Sequence, residues 1–361
     1  MIIQIGPWIG KEELDQLNEV VNSTFVTEWK KTAEFEKKFC ELTGAKYSVA
    51  YCNGTMSLFA ALKILGIGKD DEVIVPDLTF AASSNSILLA GATPVFVDIK
   101  QKIFQISPSE IERHITKKTK AIMPVHLYGQ SCDMDSIMKI ADKYNLKIIE
   151  DAAQGFGVKF IGRHVGTFGD FGSFSFYGNK TITTGEGGML TTNNEELAKK
   201  AFAFKNHGRM EKGIFIHEEI GFNFGFTEMQ AALGLAQLSK FEKIKKRKAE
   251  IRKYYETNLK DIPQIKMSFI DLKCEPVHWF SNIIVSDAES LQKYLKENNI
   301  QTRRFFYPLH LQPCYSYMKL KNKFPNTDHV YKHGLSLPSS ATIKDEELAE
   351  VANKIKNFYK K

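Results

Sequence analysis

Three stretches of the chain combine residue types in patterns that can do chemistry. LKIIEDAAQ at 146–154 is an apolar run ending in Glu150-Asp151, and in a parallel α/β sheet ligands bind at the carboxyl ends of strands. Asp151 is therefore a site candidate, although such a residue also serves as an ordinary helix N-cap. GSFSFYGNKTITTGEGGML at 172–190 sets Lys180 in a short loop among Gly178, Thr181, Thr183 and Thr184, between a strand and a Gly-rich turn. Against a sheet edge in a partly desolvated cleft, a lysine has a lowered pKa and can form a Schiff base, whereas most lysines are solvated surface residues. CNGTMSLFAAL at 52–62 is a strand-to-helix turn with Gly54 and Thr55 at the helix start. Free N–H groups, a hydroxyl and the positive end of the helix dipole suit a phosphate there, as they suit any N-cap.

The value of these features lies in their combination. A carboxylate at a strand end, a lysine downstream and a phosphate-type helix N-terminus upstream are together what pyridoxal 5'-phosphate requires. The carboxylate keeps the pyridine nitrogen protonated, the lysine holds the aldehyde and the helix end holds the phosphate.

Positioning them calls for a particular set of elements. From about 47 to 150, short β-branched runs (YSVAY, EVIVP, TPVFVD, KAIMPVHLY, LKIIED) alternate with amphipathic helical stretches, the signature of a mostly parallel sheet covered by helices. SFSFY and GGMLTT continue the strand pattern to about 192, and a helix follows from Asn194. Periodicity predicts one long helix over 227–256, with Leu235, Leu238, Phe241, Ile244 and Ile251 on a stripe and a solvated basic face in KIKKRKAEIRK. A smaller α/β part follows, with a strand in HWFSNIIVS and a closing helix EELAEVANKIKNFY. The expected division is 1–240, a large cofactor-binding domain with the N-terminal segment, and 241–361, a small domain.

Composition sets the outer limits. The 361 residues are 43% apolar and 25% charged, with 49 basic against 42 acidic residues and a net charge of +7, which is ordinary for a soluble globular protein. No run approaches the roughly 20 apolar residues of a membrane span, and the amino terminus lacks the layout of a secretion signal, so a cytoplasmic protein is expected. Five cysteines at 40, 52, 132, 274 and 314 have no CxxC spacing, which points away from a zinc cage and from a disulfide framework. The basic helix carries no interleaved aromatics, so nucleic-acid binding is not expected.

The same residues resemble the DegT/DnrJ/StrS family of nucleotide-sugar aminotransferases, which are fold-type-I pyridoxal-phosphate enzymes. The likeness runs from GKEE at 10–13 to RRFFYPLHLQPCY at 303–315, through VPDLTF, PVHLYGQ, IEDAAQ, FSFYGNKTITTGEGG and GFNFGFTEMQAALGLAQL. Within the family it is greatest to the GDP-perosamine synthases, which aminate C4 of a nucleotide-linked 4-keto-6-deoxyhexose.

The resemblance implies that Lys180 is the Schiff-base lysine and proton-transfer base. Asp151 would pair with the ring nitrogen, Gln154 would lie against the phenolic oxygen and Phe80 would stack on the ring; Gly54, Thr55 and Ser175 would hold the phosphate. By residue type alone a core aromatic is the plainer reading of Phe80, and a polar strand residue that of Ser175. Asn223 would reach the phosphate of a neighbouring subunit, making a homodimer with shared sites, although a turn asparagine is the plainer reading. The family usually carries an aromatic and then Arg or Lys after that Asn; Phe224 and Gly225 stand here, so the cation's work falls to another residue or to none. Tyr307 and His310 would meet the nucleotide-sugar, and a structural His310 is the alternative.

The implied substrates are L-glutamate and a GDP-, UDP- or dTDP-linked 4-keto-6-deoxyhexose, with a 3-keto sugar as the alternative acceptor. A C3 dehydratase of the same fold carries histidine at the lysine position, so Lys180 argues against it. A non-catalytic basic scaffold would have lost the cofactor residues, which are all present.

Overall fold

The computed structural model describes every residue except Lys212, Lys319, Lys321 and Lys361. In chain order the first strands are β1 (Tyr47–Tyr51), β2 (Glu72–Pro76), β3 (Thr93–Val97), β4 (Thr119–Ile122) and β5 (Lys147–Asp151). The two-residue β6 (Lys159–Phe160) and β7 (Arg163–His164), then β8 (Phe171–Ser175) and β9 (Gly188–Thr192), complete the amino-terminal set. Seven of these form one sheet in the order β1-β9-β8-β5-β4-β2-β3. Neighbours among β8, β5, β4, β2 and β3 pair in parallel, and β9 runs antiparallel to both β1 and β8. The expected mostly parallel α/β sheet is the observed one.

Its strands are apolar along their length because helices cover both faces. Side chains alternate across the sheet: Val73, Val75 and Ile149 pack on one face with Leu58 and Leu62 of the helix Gly54–Ile64, while Ile74, Ile122 and Ile148 pack on the other with Ile137 and Ile140. By the same parity Asp151 shares the face of Ile149 and of the Gly54–Ile64 helix, and Glu150 belongs to the opposite face.

The remaining strands are β10 (Ile265–Met267), β11 (Cys274–Glu275), β12 (Ser281–Val285), β13 (Arg303–Arg304) and β14 (Gly334–Leu337). Four of them make an antiparallel sheet ordered β10-β12-β14-β13, and β11 joins β6 and β7 in a three-stranded ribbon. The first residues of the chain cross to the four-stranded sheet, where Ile2 bridges Ile300 and packs with Ile251, Leu291 and Leu335.

The expected single helix over 227–256 is two helices, Glu228–Ser239 and Phe241–Leu259, with Lys240 at φ −107° between them. One straight helix could not bury both of its apolar stretches. Ala231, Leu235 and Leu238 pack with Phe35 and Phe39 against the large sheet, whereas Ile251, Tyr255 and Leu259 pack against the four-stranded one. Lys240 is buried at the break and its ammonium pairs with Glu13 at 2.7 Å. Nor is the basic face of the second helix wholly solvated: Lys248 is buried, donating to the carbonyls of Trp279 (3.2 Å) and Ser339 (3.1 Å). No helix among the described residues is long and apolar enough to cross a membrane.

Candidate active site

Glu150 and Asp151 show how strand parity separates two adjacent carboxylates. Glu150 is fully buried and accepts from the backbone N–H groups of Gly166 (2.7 Å), Phe168 (2.7 Å) and Gly169 (2.9 Å). The N–H of Cys132 donates to Nδ1 of His126 (3.1 Å), so Nε2 of His126 carries the proton and donates to Glu150 at 3.0 Å. With its acceptor sites filled in this way, Glu150 is structural. Asp151, at the carboxyl end of β5, instead faces a cavity. Its Oδ2 accepts from Ser83 Oγ at 2.7 Å and its Oδ1 from the Ala153 N–H at 3.1 Å, and the Ser83 hydroxyl lies 3.0 Å from that of Thr79.

At another part of the same cavity the Gly54–Ile64 helix begins. The Asn53 side chain caps it by accepting from the Met56 N–H at 2.9 Å, which leaves the N–H groups of Gly54 and Thr55 without an intrahelical partner. Two glycines allow this helix end to touch the strand that carries Ser175. A Cβ on Gly54 would lie 3.0 Å from the Cβ of Ser175, and one on Gly188, paired with Ser175 across β8 and β9, would come within 2.5 Å of the Asn53 backbone. Backbone donors at a helix N-terminus beside a serine hydroxyl form an anion cradle.

Lys180 follows β8 in a turn closed by its N–H donating to the Tyr177 carbonyl at 2.9 Å. Its ammonium sits 4.5 Å from the ring centroid of Trp279, whose indole N–H donates to the Asn179 carbonyl at 2.6 Å. Burial lowers the lysine pKa to about 8, with the Asp151 charge opposing the shift and the Arg303 charge adding to it. Gln154 is buried, its side-chain oxygen accepting from the Tyr128 N–H at 2.7 Å. Phe80 is 59% exposed, with its ring 5.9 Å from that of Phe306, so it is a wall residue rather than a core aromatic.

Gly54, Thr55, Phe80, Asp151, Gln154, Ser175 and Lys180 thus line one cavity of about 510 Å³. Three of the expected site residues are elsewhere. Asn223 is exposed, its side-chain oxygen accepting from the Gly225 N–H at 3.3 Å, in a separate cleft with Lys205 and Arg209. Tyr307 is 42% exposed and its ring meets that of Tyr331 at 5.3 Å. His310 is held by Asp77, at 2.7 Å from Nδ1, and stacks on Phe324 at 4.5 Å. Burial pulls its imidazole down, but the Asp77 carboxylate outweighs this and raises the pKa. Thr79, Glu186, Trp279, Arg303 and Phe306 also line the cavity, and sequence reasoning does not single them out. Thr79 and Ser83, four residues apart before and within the helix Ala82–Leu89, carry a spacing signal; Trp279, Arg303 and Phe306 carry none beyond being aromatic or cationic.

The chain has relatives by sequence and by fold. A model of the DegT/DnrJ/EryC1/StrS aminotransferase family matches residues 7–356. The GDP-perosamine synthase of Escherichia coli O157:H7 is 41% identical over 357 residues, covering 98% of this chain and 97% of that protein. The dTDP-3-amino-3,6-dideoxy-alpha-D-galactopyranose transaminase of Aneurinibacillus thermoaerophilus is 39% identical over 359 residues, covering 98% and 97%. The crystal structure of S. venezuelae DesV in complex with a ketimine intermediate superimposes with a TM-score of 0.93 at 30% identity, over 97% of this chain and 95% of that one. The chain belongs to the DegT/DnrJ/EryC1/StrS aminotransferase family and is a pyridoxal-phosphate-dependent sugar aminotransferase.

Proposed function

We propose that the enzyme transfers the amino group of L-glutamate to C4 of a nucleotide-linked 4-keto-6-deoxyhexose, in perosamine- or viosamine-type amino-sugar synthesis. The observation that carries the reading is the convergence of Lys180, Asp151 and the Gly54/Thr55/Ser175 cradle on one cavity; the choice of C4 is supported by the relative named GDP-perosamine synthase. The residues fit pyridoxal phosphate group by group. Gly54, Thr55 and Ser175 would hold the phosphate, Asp151 the ring nitrogen, Gln154 the phenolic oxygen and Phe80 a ring face. When bound, the cofactor supplies an electron-withdrawing ring that accepts the electron pair left as a proton departs from a substrate carbon. Lys180 would hold the cofactor's aldehyde carbon and, with its amine free, would be the base that moves protons at the reacting carbons. Trp279, against its amine, excludes water from that side.

Residues 1–240 form the cofactor-bearing part in this reading, and 241–361 the smaller part that supplies Trp279, Arg303 and Phe306 to the cavity. Five cysteines, all free, are in keeping with a cytoplasmic location. A 3-keto acceptor is the second reading, favoured by the relative named as a 3-amino-sugar transaminase. Incubation with L-glutamate and a panel of GDP-, UDP- and dTDP-linked 4-keto-6-deoxy sugars, with products weighed by mass spectrometry, decides between them. One member of the panel should gain an amine in place of the ketone. Amination of none of them, with turnover of a 3-keto sugar, would move the assignment to C3.

The same reading makes the enzyme a homodimer whose sites are shared through Asn223. It rests on an asparagine exposed outside its own chain's cavity, next to a segment with Phe215 80%, Ile216 70% and Ile220 85% exposed, apolar side chains that a second subunit could cover. Lys180→Ala and Asn223→Trp chains, each inactive alone, should form heterodimers with one doubly defective and one intact site. Activity per heterodimer should recover to about half the wild-type value. No recovery despite demonstrated subunit exchange would mean that Asn223 serves its own chain.

A further inference from the structure

Four charged side chains line the cavity: Asp151, Lys180, Glu186 and Arg303. The proposed function commits Asp151 and Lys180 to the cofactor and leaves Arg303 as the remaining cation, so a role for Arg303 toward the substrates rests on that function. Arg303 and Arg304 form β13 at the edge of the four-stranded sheet, paired with β14, and the two arginines are used differently. Arg304 is occupied by the fold, donating to the carbonyls of Tyr331 (2.6 Å), Lys332 (2.8 Å) and Gly334 (3.2 Å). Arg303 has neither an ion pair nor a side-chain hydrogen bond among the described residues; its guanidinium rests 5.6 Å from the centroid of the Phe280 ring. Arg303 is exposed to the open side of the cavity, and a guanidinium on an aromatic face there, with its five donors uncommitted to the fold, is free to receive an anion.

We infer that Arg303 is the anion anchor for both substrates, gripping the side-chain carboxylate of the amino donor in one half-reaction and the diphosphate of the nucleotide-sugar in the other. In glutamate two methylenes separate the far carboxylate from the reacting carbon; in the sugar the diphosphate leaves C1, across the ring from C4. Each substrate therefore presents its negative charge at a similar remove from the centre that must meet Lys180. The guanidinium fork fits carboxylate and phosphate alike, and a ping-pong order never requires both at once. Proximity to the reacting lysine is supported by the Arg303 charge, which adds to the lowering of the Lys180 pKa.

The test uses the holoenzyme and its Arg303→Gln and Arg303→Lys variants, with cofactor content as the check on folding. Titration with L-glutamate in the absence of sugar, followed by loss of the visible band, should show half-saturation rising roughly 10- to 100-fold in Arg303→Gln and partly restored in Arg303→Lys. L-Alanine, which lacks the far carboxylate, should be affected less than about threefold, so that discrimination between the two donors collapses. Binding of GDP to the amine form, measured by calorimetry, should weaken by about tenfold or more. Unchanged glutamate and GDP binding in a variant of a competent wild type would overturn the anchor while leaving the transaminase reading intact. A loss confined to glutamate would overturn the dual role, and an equal loss for alanine would overturn the side-chain assignment. A wild-type holoenzyme that glutamate does not bleach would instead overturn the reading beneath it.

Discussion

Lys180→Ala should abolish turnover, by roughly four orders of magnitude or more, because it removes both the group that holds the cofactor and the base that moves protons. Among the described residues lining the cavity, Lys180 is the one lysine, so no neighbour can take over. The wild-type protein should be yellow and bleached by glutamate; the alanine variant should lack the band of the lysine-linked cofactor while still holding cofactor through Asp151 and the phosphate cradle. A pH signature goes with it. The amine attacks a carbonyl only when neutral, and with a pKa lowered from 10.5 to about 8 it is neutral roughly 300 times more often at pH 7 than an unperturbed lysine. The rate at which cofactor-free protein captures pyridoxal phosphate should therefore rise with pH and level off above about 8. A rise continuing to pH 10, or turnover within tenfold of wild type in Lys180→Ala, would show that another group does this work.

The central sheet is legible in the sequence because its strands are sheathed on both faces and so read as unbroken apolar runs: EVIVP, TPVFV and KIIED are β2, β3 and β5. The break at Lys240 is not legible, since Leu235, Leu238, Ile244 and Ile251 keep a helical period straight through it. Only the existence of two separate cores, one on each sheet, makes the chain turn there, and that is a tertiary fact. Lys248 is hidden for the same reason. Periodicity places it on a basic helix, but the carbonyls of Trp279 and Ser339 that receive its ammonium lie 31 and 91 residues away.

The site divides along the same line. Asp151, Gly54 and Thr55 can be found because each stands at a strand end or a helix start, where local geometry already points to ligand chemistry; Lys180 stands out by its loop among small residues. Arg303 looks like its neighbour Arg304 in sequence, and only the pairing of β13 with β14 decides which guanidinium faces the cavity. Ser83, which holds Asp151, is equally hidden, being one serine among several in AASSNSILL.

That hydrogen bond frames the second large effect. Asp151 is 5% exposed and held from two sides, by Ser83 Oγ at 2.7 Å and the Ala153 N–H at 3.1 Å, so Asp151→Asn should keep the shape of the site while removing its charge. Without the Asp151 carboxylate the ring nitrogen would lose the partner that keeps it protonated, and the ring would lose its pull on the electron pair at the step where a proton leaves the substrate carbon. Turnover should fall by several orders of magnitude. Cofactor content should fall much less, because Lys180, Gly54, Thr55 and Ser175 are untouched, and the variant should still be coloured. Asp151→Glu should retain a trace of activity, its carboxylate being kept but displaced by one methylene in a closely packed setting. Measured side by side, colour and rate separate loss of binding from loss of chemistry. A coloured Asp151→Asn enzyme turning over at a near-normal rate would mean that the ring nitrogen does not meet Asp151, and the cofactor would have to be placed differently in the cavity.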